Sequence, residues 1–491
     1  MTTFTTRVIG CVITVLGLVS GVFAHGDLRL VDAVKRQDKD AVRTLLQSQL
    51  DVNATQGGGA TALHWAAHWD DLETANRLLT AGANVNAFTD HGVTTLYLAS
   101  EIGSASMAET LLAAGANPNL TAETGVSPLM LAARAGASKT VHSLLSYGAN
   151  INATQRSSGQ TALMWAVAQG HPGVVQVLAA HGADMHARSR TSRQLVNKGG
   201  VGDGDTTFVD WINVGGSTAL LFAARHGHVQ SARILLAHAA HVDDTMADGN
   251  SALVVAAPRG HGAVAALLLE RGANPNARGA GYTVLHAAVL RGDLSLLKTS
   301  LAHGANPNAK LLGGTPFRRS GPDYFFPASL AGATPLFLAA NYGDVAMIHA
   351  LANAGANEQE TTHDGTTPLM IAADSDRRRQ AVLTYARPQD VVVANAREGL
   401  EAVSVLLELG ANINVANKNG NTALHIAAGA HSSHIVRLLA EHAPAARAVP
   451  VQGEVAFSEA GLQKVGSSYT LADGRAVQIV GLPVKAKVSP S

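Results

Sequence analysis

The chain has 491 residues, 47% of them hydrophobic but only 4% aromatic, with 49 glycines and one cysteine. Its 36 basic residues balance 36 acidic ones, so no global field draws it to nucleic acid or to an anionic membrane, and either partner would need a local patch. A lone cysteine excludes a disulfide framework and cysteine-paired metal ligation.

Residues 1–24 read as a signal peptide: Arg7 is a lone positive charge, an apolar run spans Val8 to Val19, and Val22-Phe23-Ala24 forms a small-residue cleavage site before His25. The run is shorter than the roughly 20 apolar residues of a membrane span. Export to the periplasm or beyond is expected, with no membrane insertion after cleavage, which would also remove Cys11.

A phrase then recurs, first as Thr61-Ala62-Leu63-His64-Trp65-Ala66-Ala67 and again from Thr94, Ser127, Thr161, Thr218, Ser251, Thr283, Thr334, Thr367 and Thr422. The intervals are 33, 33, 34, 57, 33, 32, 51, 33 and 55 residues, a fixed period carrying three insertions. Within a unit, Leu63, Ala66 and Ala67 share one face of a short helix that Thr61 can cap. A second helix over about Leu72 to Thr80 ends at Gly82-Ala83-Asn84, where glycine supplies a left-handed residue and a polar stretch to Gly92 turns into the next unit. A degenerate unit comes first, with Ala33 and Leu45-Leu46 one period before Ala66 and Leu78-Leu79.

Thr-x-Leu-x-x-Ala-Ala, a Leu-Leu pair and Gly-Ala-Asn-x-Asn at fixed offsets resemble the ankyrin repeat, over roughly residues 26 to 445. The Gly-Ala-Asn phrase weakens only to Gly182-Ala183-Asp184 and Ala239-Ala240-His241. The ordering of signal, array and late insertions also resembles exported bacterial ankyrin proteins. The resemblance implies an all-α solenoid of about eleven helix-turn-helix units over residues 25–445, with a concave surface, and it implies protein binding with no particular partner. Residues 446–491 leave the repeat as a tail, with a turn at 470–475 between short strands.

The departures from the period carry whatever is specific. The first insertion, residues 187–215, is Gly-rich and contains Asp203, Asp205 and Asp210, but lacks the ligand order of a calcium loop; packing of Trp211 onto its neighbours is expected. The second, 310–332, concentrates Phe317, Arg318, Arg319, Tyr324, Phe325 and Phe326, residue types favoured at binding hot spots and equally suited to anchoring a long loop. The third, 375–398, falls between the two helices of a unit, starts near Arg377-Arg378-Arg379 and reads as a helix extension.

Positions seven and eight after each opening Thr or Ser sit at the end of the first helix and give Trp69, Arg134, Arg225, Arg259, Arg291 and Tyr342. Such a track suits an acidic segment of a protein partner, because guanidinium binds carboxylate bidentately. His64 and His68 have a zinc-compatible spacing, but no following Glu completes a metalloprotease motif, and nucleophile elbow and phosphate loop are missing. The expectation is a monomeric, non-enzymatic binding scaffold without cofactor, catalytic residue or metal. A ligand pocket built by the two long insertions, and a plain structural spacer, are the alternatives.

Overall fold

The computed structural model describes residues 27–48, 50–197, 209–279, 281–312, 326, 330–374 and 396–442, with short strands at 463–465, 468–470 and 476–478. Residues 1–24, read as a signal peptide and containing Cys11, together with Asp203 and Asp205, Phe317, Arg318, Arg319, Tyr324, Phe325 and the triplet Arg377-Arg378-Arg379, lie outside the described residues.

Two compact units divide the chain, residues 1–192 with 215–244 and residues 193–214 with 245–491. The first holds six helix pairs: Arg29–Lys35 with Lys39–Gln47, Ala62–His68 with Leu72–Thr80, Thr95–Ile102 with Ala105–Ala113, Pro128–Ala135 with Ser138–Ser146, Ala162–Ala168 with Pro172–Ala180, and Ala219–His226 with Val229–Ala237. The second holds five: Ala252–Ala256 with Gly262–Glu270, Val284–Arg291 with Leu294–Ala302, Pro335–Tyr342 with Val345–Asn353, Pro368–Ala373 with Ala396–Glu408, and Ala423–Gly429 with Ser433–His442. Within each unit, first helices pack on first helices and second helices on second helices. The chain is thus an all-α repeat solenoid, with two small sheets among the described residues, one in the first insertion and one in the tail.

Local chemistry explains the pairs. Thr94, Ser127 and Thr334 have extended backbone, and their hydroxyls accept from the N–H of Tyr97, Met130 and Phe337 at 3.2, 3.3 and 3.2 Å, satisfying a donor that a helix start leaves unpaired. Ala66, Ala67, Ala132, Ala133, Ala339 and Ala340 are wholly buried, and their small side chains let neighbouring first helices approach closely. Leu78, Leu111, Leu144, Leu178 and Leu235 fill the seam between helix layers, each burial stabilising by about 1.5–3 kcal/mol. The degenerate first unit is tied to the next by Glu73, whose carboxyl is lowered to about 2 by hydrogen bonds from Lys39, Arg77 and Arg43.

Most second helices end on a glycine in the left-handed region, as at Gly115, φ 89°. Ala239 takes this position with φ 65°, a conformation that costs an L-residue about 1–2 kcal/mol.

The turn tips are stitched along the array. Asn86 accepts from the Asn117 N–H (2.8 Å) and donates to the Gly115 carbonyl (3.0 Å). Asn119 does the same with Asn150 and Gly148, Asn276 with Asn306 and Gly304, and Asn308 with Asn357 and Gly355.

The insertions depart from expectation in two places. Strands β1 (Ser192–Asn197) and β2 (Val209–Val214) of the first insertion form a two-stranded sheet. Trp211 is 55% exposed, with the Arg193 guanidinium 5.5 Å from its ring. It is therefore not packed away as expected: β2 pairs only with β1, and the β1 residues 192–195 are themselves exposed. In the second insertion, Phe326 is 2% exposed and sits 5.3 Å from the Tyr282 ring and 6.3 Å from the His286 ring. Phe326 is thus buried and offers no surface to a partner, which corrects its assignment to the binding surface. After the third insertion the second helix, Ala396–Glu408, runs 13 residues where most run nine. In the tail, strands β3 (Gln463–Val465), β4 (Ser468–Thr470) and β5 (Ala476–Gln478) pair antiparallel in sequence order, with Thr470 opposite Ala476, while the expected turn between them lies outside the described residues. Among the described residues no helix is long and apolar enough to cross a membrane.

Candidate binding surface

Residues four, seven and eight after the opening Thr or Ser lie within about one turn of each other on a first helix. In the first unit, position four holds Trp65, Leu98, Leu131, Trp165 and Phe222, and the later positions bring His68, Trp69, Glu101, Ile102, Arg134 and Arg225. The candidates at positions seven and eight therefore have aromatic neighbours at position four, one helical turn away, a spacing visible in the sequence.

These side chains form contacts along the face. The Lys35 ammonium lies 5.0 Å from the Trp65 ring, a cation–π arrangement. Trp65 stacks on Trp69 with centroids 6.5 Å apart, and His68 meets both rings edge-on at 5.8 and 4.7 Å. Burial lowers the pKa of His68 against an opposing pull from Glu101, keeping the ring neutral. Trp65 is nearly buried, whereas Trp69 is 44% and Ile102 47% exposed. Two large apolar side chains on successive repeats are thus presented to solvent.

Arg134 is already engaged. Its Nη2 donates to Glu101 Oε1 at 3.1 Å and its guanidinium stands 5.4 Å from the Trp165 ring. Tyr97 lies beside the pair; burial raises its pKa, with Glu101 adding to the rise and Arg134 opposing it. The Arg225 guanidinium lies 5.7 Å from the Phe222 ring of its own helix. In the second unit Arg259 donates to the Val255 carbonyl at 3.0 Å, Arg291 covers Gly260 so closely that a Cβ there would meet its Nη2 at 2.6 Å, and Tyr342 is half-buried. The arginines are held by their own and by neighbouring repeats, so the expected track is a set of partnered cations.

The histidine three residues after the opening Thr has a structural role. The Thr61 N–H donates to His64 Nδ1 at 3.2 Å, so Nδ1 is the acceptor and Nε2 carries the proton; Nε2 donates to the Val93 carbonyl at 3.1 Å. His286 repeats this with Thr283 (3.2 Å) and Ala333 (3.1 Å). Burial pushes both imidazoles down, His286 to about 4. His425 keeps the Thr422 contact at 3.2 Å, but its Nε2 has no partner among the described residues.

A family model described as ankyrin repeats in three copies matches residues 30–122, 96–189, 193–279, 241–311 and 285–385, and one described as ankyrin repeats in many copies matches residues 392–440. No curated protein matches the chain.

Proposed function

This chain belongs to the ankyrin repeat family, which makes it a scaffold for protein interaction, and from that premise we propose an exported, non-enzymatic scaffold whose partner docks on the first-helix face of the first unit. The observation that carries the choice of face is the exposure of Trp69, 44%, and Ile102, 47%, beside a stack that fixes the Trp69 ring. A pre-positioned aromatic side chain loses little entropy on binding and buries a large area, which is why Trp anchors recur at hot spots. Arg134 gives the face its polar choice: an acidic partner segment replaces Glu101 as its carboxylate. Export rests on the charge, apolar run and cleavage site of residues 1–24.

The test is in-cell crosslinking and mass spectrometry of the full chain against a Trp69→Ala, Ile102→Ala double variant whose circular dichroism matches wild type. Loss of the crosslinked partner is expected. An unchanged partner set moves binding off this face, and recovery of the chain with its first 24 residues attached in the cytoplasm removes export.

A further inference from the structure

The turn stitch fails at one junction of the first unit, and what replaces it has a different chemistry. At Asn53, Asn86, Asn119 and Asn152 the side-chain oxygen accepts the next repeat's turn N–H, from Asn84, Asn117, Asn150 and Asp184. The next pair of positions holds His186 and His241. Their rings approach to 4.2 Å between centroids, tilted by 47°. Asp244 completes the group: one ligand atom from each of His186, His241 and Asp244 lies within 4.8 Å of the others, and both histidines are exposed.

We infer that His186, His241 and Asp244 form a transition-metal site of the zinc class. Two imidazole nitrogens and one carboxylate oxygen suit Zn(II), whereas calcium and magnesium require oxygen donors throughout. Ligand atoms around tetrahedral zinc sit about 3.3 Å apart, given metal–ligand distances of about 2.0–2.2 Å. The present separations are up to 4.8 Å, and both histidines are exposed, so rotation of their side chains is the motion the site requires of them.

The surroundings hold the carboxylate ligand in place. Arg188 donates to Asp244 Oδ1 at 2.6 Å and to the Gly216 carbonyl at 3.0 Å, the outer-shell contact that orients a ligating carboxylate. The neck of the first insertion is clamped next to them: the Ser189 N–H donates to the Ser217 carbonyl, and the Ser217 N–H to Ser189 Oγ, at 3.0 and 2.9 Å. Three protein ligands leave a fourth position for water or for a donor side chain of a partner. The site stands apart from the Trp69 face, so it survives or fails independently of that reading.

Zinc chloride titrated into the untagged full-length chain by calorimetry, with Co(II) absorption as a second readout, tests the assignment. His186→Asn and His241→Asn restore the residue type used at the other junctions, so the fold is expected to persist by circular dichroism. Wild type is expected to take up one Zn(II) per chain and to show tetrahedral Co(II) bands. Each single variant is expected to bind at least about 100-fold more weakly, beyond the roughly 10–100-fold that outer-shell losses cause. Identical isotherms for wild type and the His186→Asn, His241→Asn double variant would overturn the proposal, as would an absence of Zn(II) uptake by wild type in the micromolar range.

Discussion

Acid is expected to weaken the second unit through His286. The ring is wholly buried, its Nδ1 faces the Thr283 N–H and hydroxyl, and its Nε2–H reaches the Ala333 carbonyl. Burial in a site that water does not reach disfavours the charged ring and pushes the folded pKa down to about 4 from the ordinary 6.5, and a proton on Nδ1 would in addition face the Thr283 N–H. Between those values the unfolded chain binds a proton that the folded one refuses, so stability is complete above about pH 6.5 and declines as pH falls toward 4. At one pH unit per 1.36 kcal/mol, the loss is about 2 kcal/mol at pH 5 and about 3 kcal/mol at pH 4.

His286→Met isolates this effect, because Met130 and Met164 occupy the equivalent position in other repeats and are as deeply buried. At neutral pH the variant loses the Nε2 bond, yet the Ala333 carbonyl retains the Leu311 N–H at 2.9 Å and a Met sulfur can take the Thr283 N–H as Met370 takes that of Thr367 at 3.5 Å, so the cost is about 1–2 kcal/mol. The two stabilities should therefore cross near pH 5. Hydrogen exchange of the helix Val284–Arg291, corrected for the intrinsic rate, reads the local free energy where denaturation of the whole array would average it. Equal pH dependence in wild type and variant would refute the argument.

Three further outcomes are expected. Ala239→Gly should stabilise the first unit by about 1 kcal/mol, because φ 65° suits glycine, raising the melting temperature by about 2–4 °C; a lower midpoint in a calorimetric scan contradicts this. Asn119→Ala removes bonds of 2.7 and 3.0 Å to the next turn and should destabilise by about 1–2 kcal/mol, seen as faster exchange at the Asn150 amide. Arg134→Ala should change stability by under about 1 kcal/mol, since its pair with Glu101 is exposed, so a larger change in a urea titration would show that its contact with Trp165 carries packing energy.

The repeat was legible because each of its parts answers to local chemistry: a hydroxyl before a short helix, an alanine pair at the helix contact, glycine at a left-handed residue. The eleven helix pairs among the described residues follow from that ruler. Burial of particular aromatics was not legible, since it depends on partners brought from elsewhere in the chain. Phe326 meets Tyr282, 44 positions earlier, and Trp211 meets the Arg193 guanidinium across the two-stranded sheet. The arginines were correctly placed at helix ends, but Glu101 and the Trp165 ring are what Arg134 meets there. Trp65 and Trp165 were missed although their spacing to those positions is helical. The cluster of His186 and His241 had a signal too, two weakened turn phrases in succession, hidden by the 57-residue interval between Thr161 and Thr218.

That junction departs from the rest of its unit in a consistent direction. The Asn stitch, worth about 2 kcal/mol as two hydrogen bonds, is replaced by a pair of exposed rings. The closing glycine is replaced by Ala239 at positive φ, at a further cost of about 1–2 kcal/mol. Both losses fall within four residues of His241, and the first insertion leaves the array directly after His186. Drift at unrelated positions would scatter such losses over the turns, whereas the turn at Asn119 keeps its stitch intact. Local rules broken together, without a compensating gain in packing, mark functional positions. A ligand that binds only the folded turn returns stability in proportion to its concentration over its Kd. A bound cation would therefore offset what the missing stitch and the strained alanine remove, and the junction's stability would depend on metal supply.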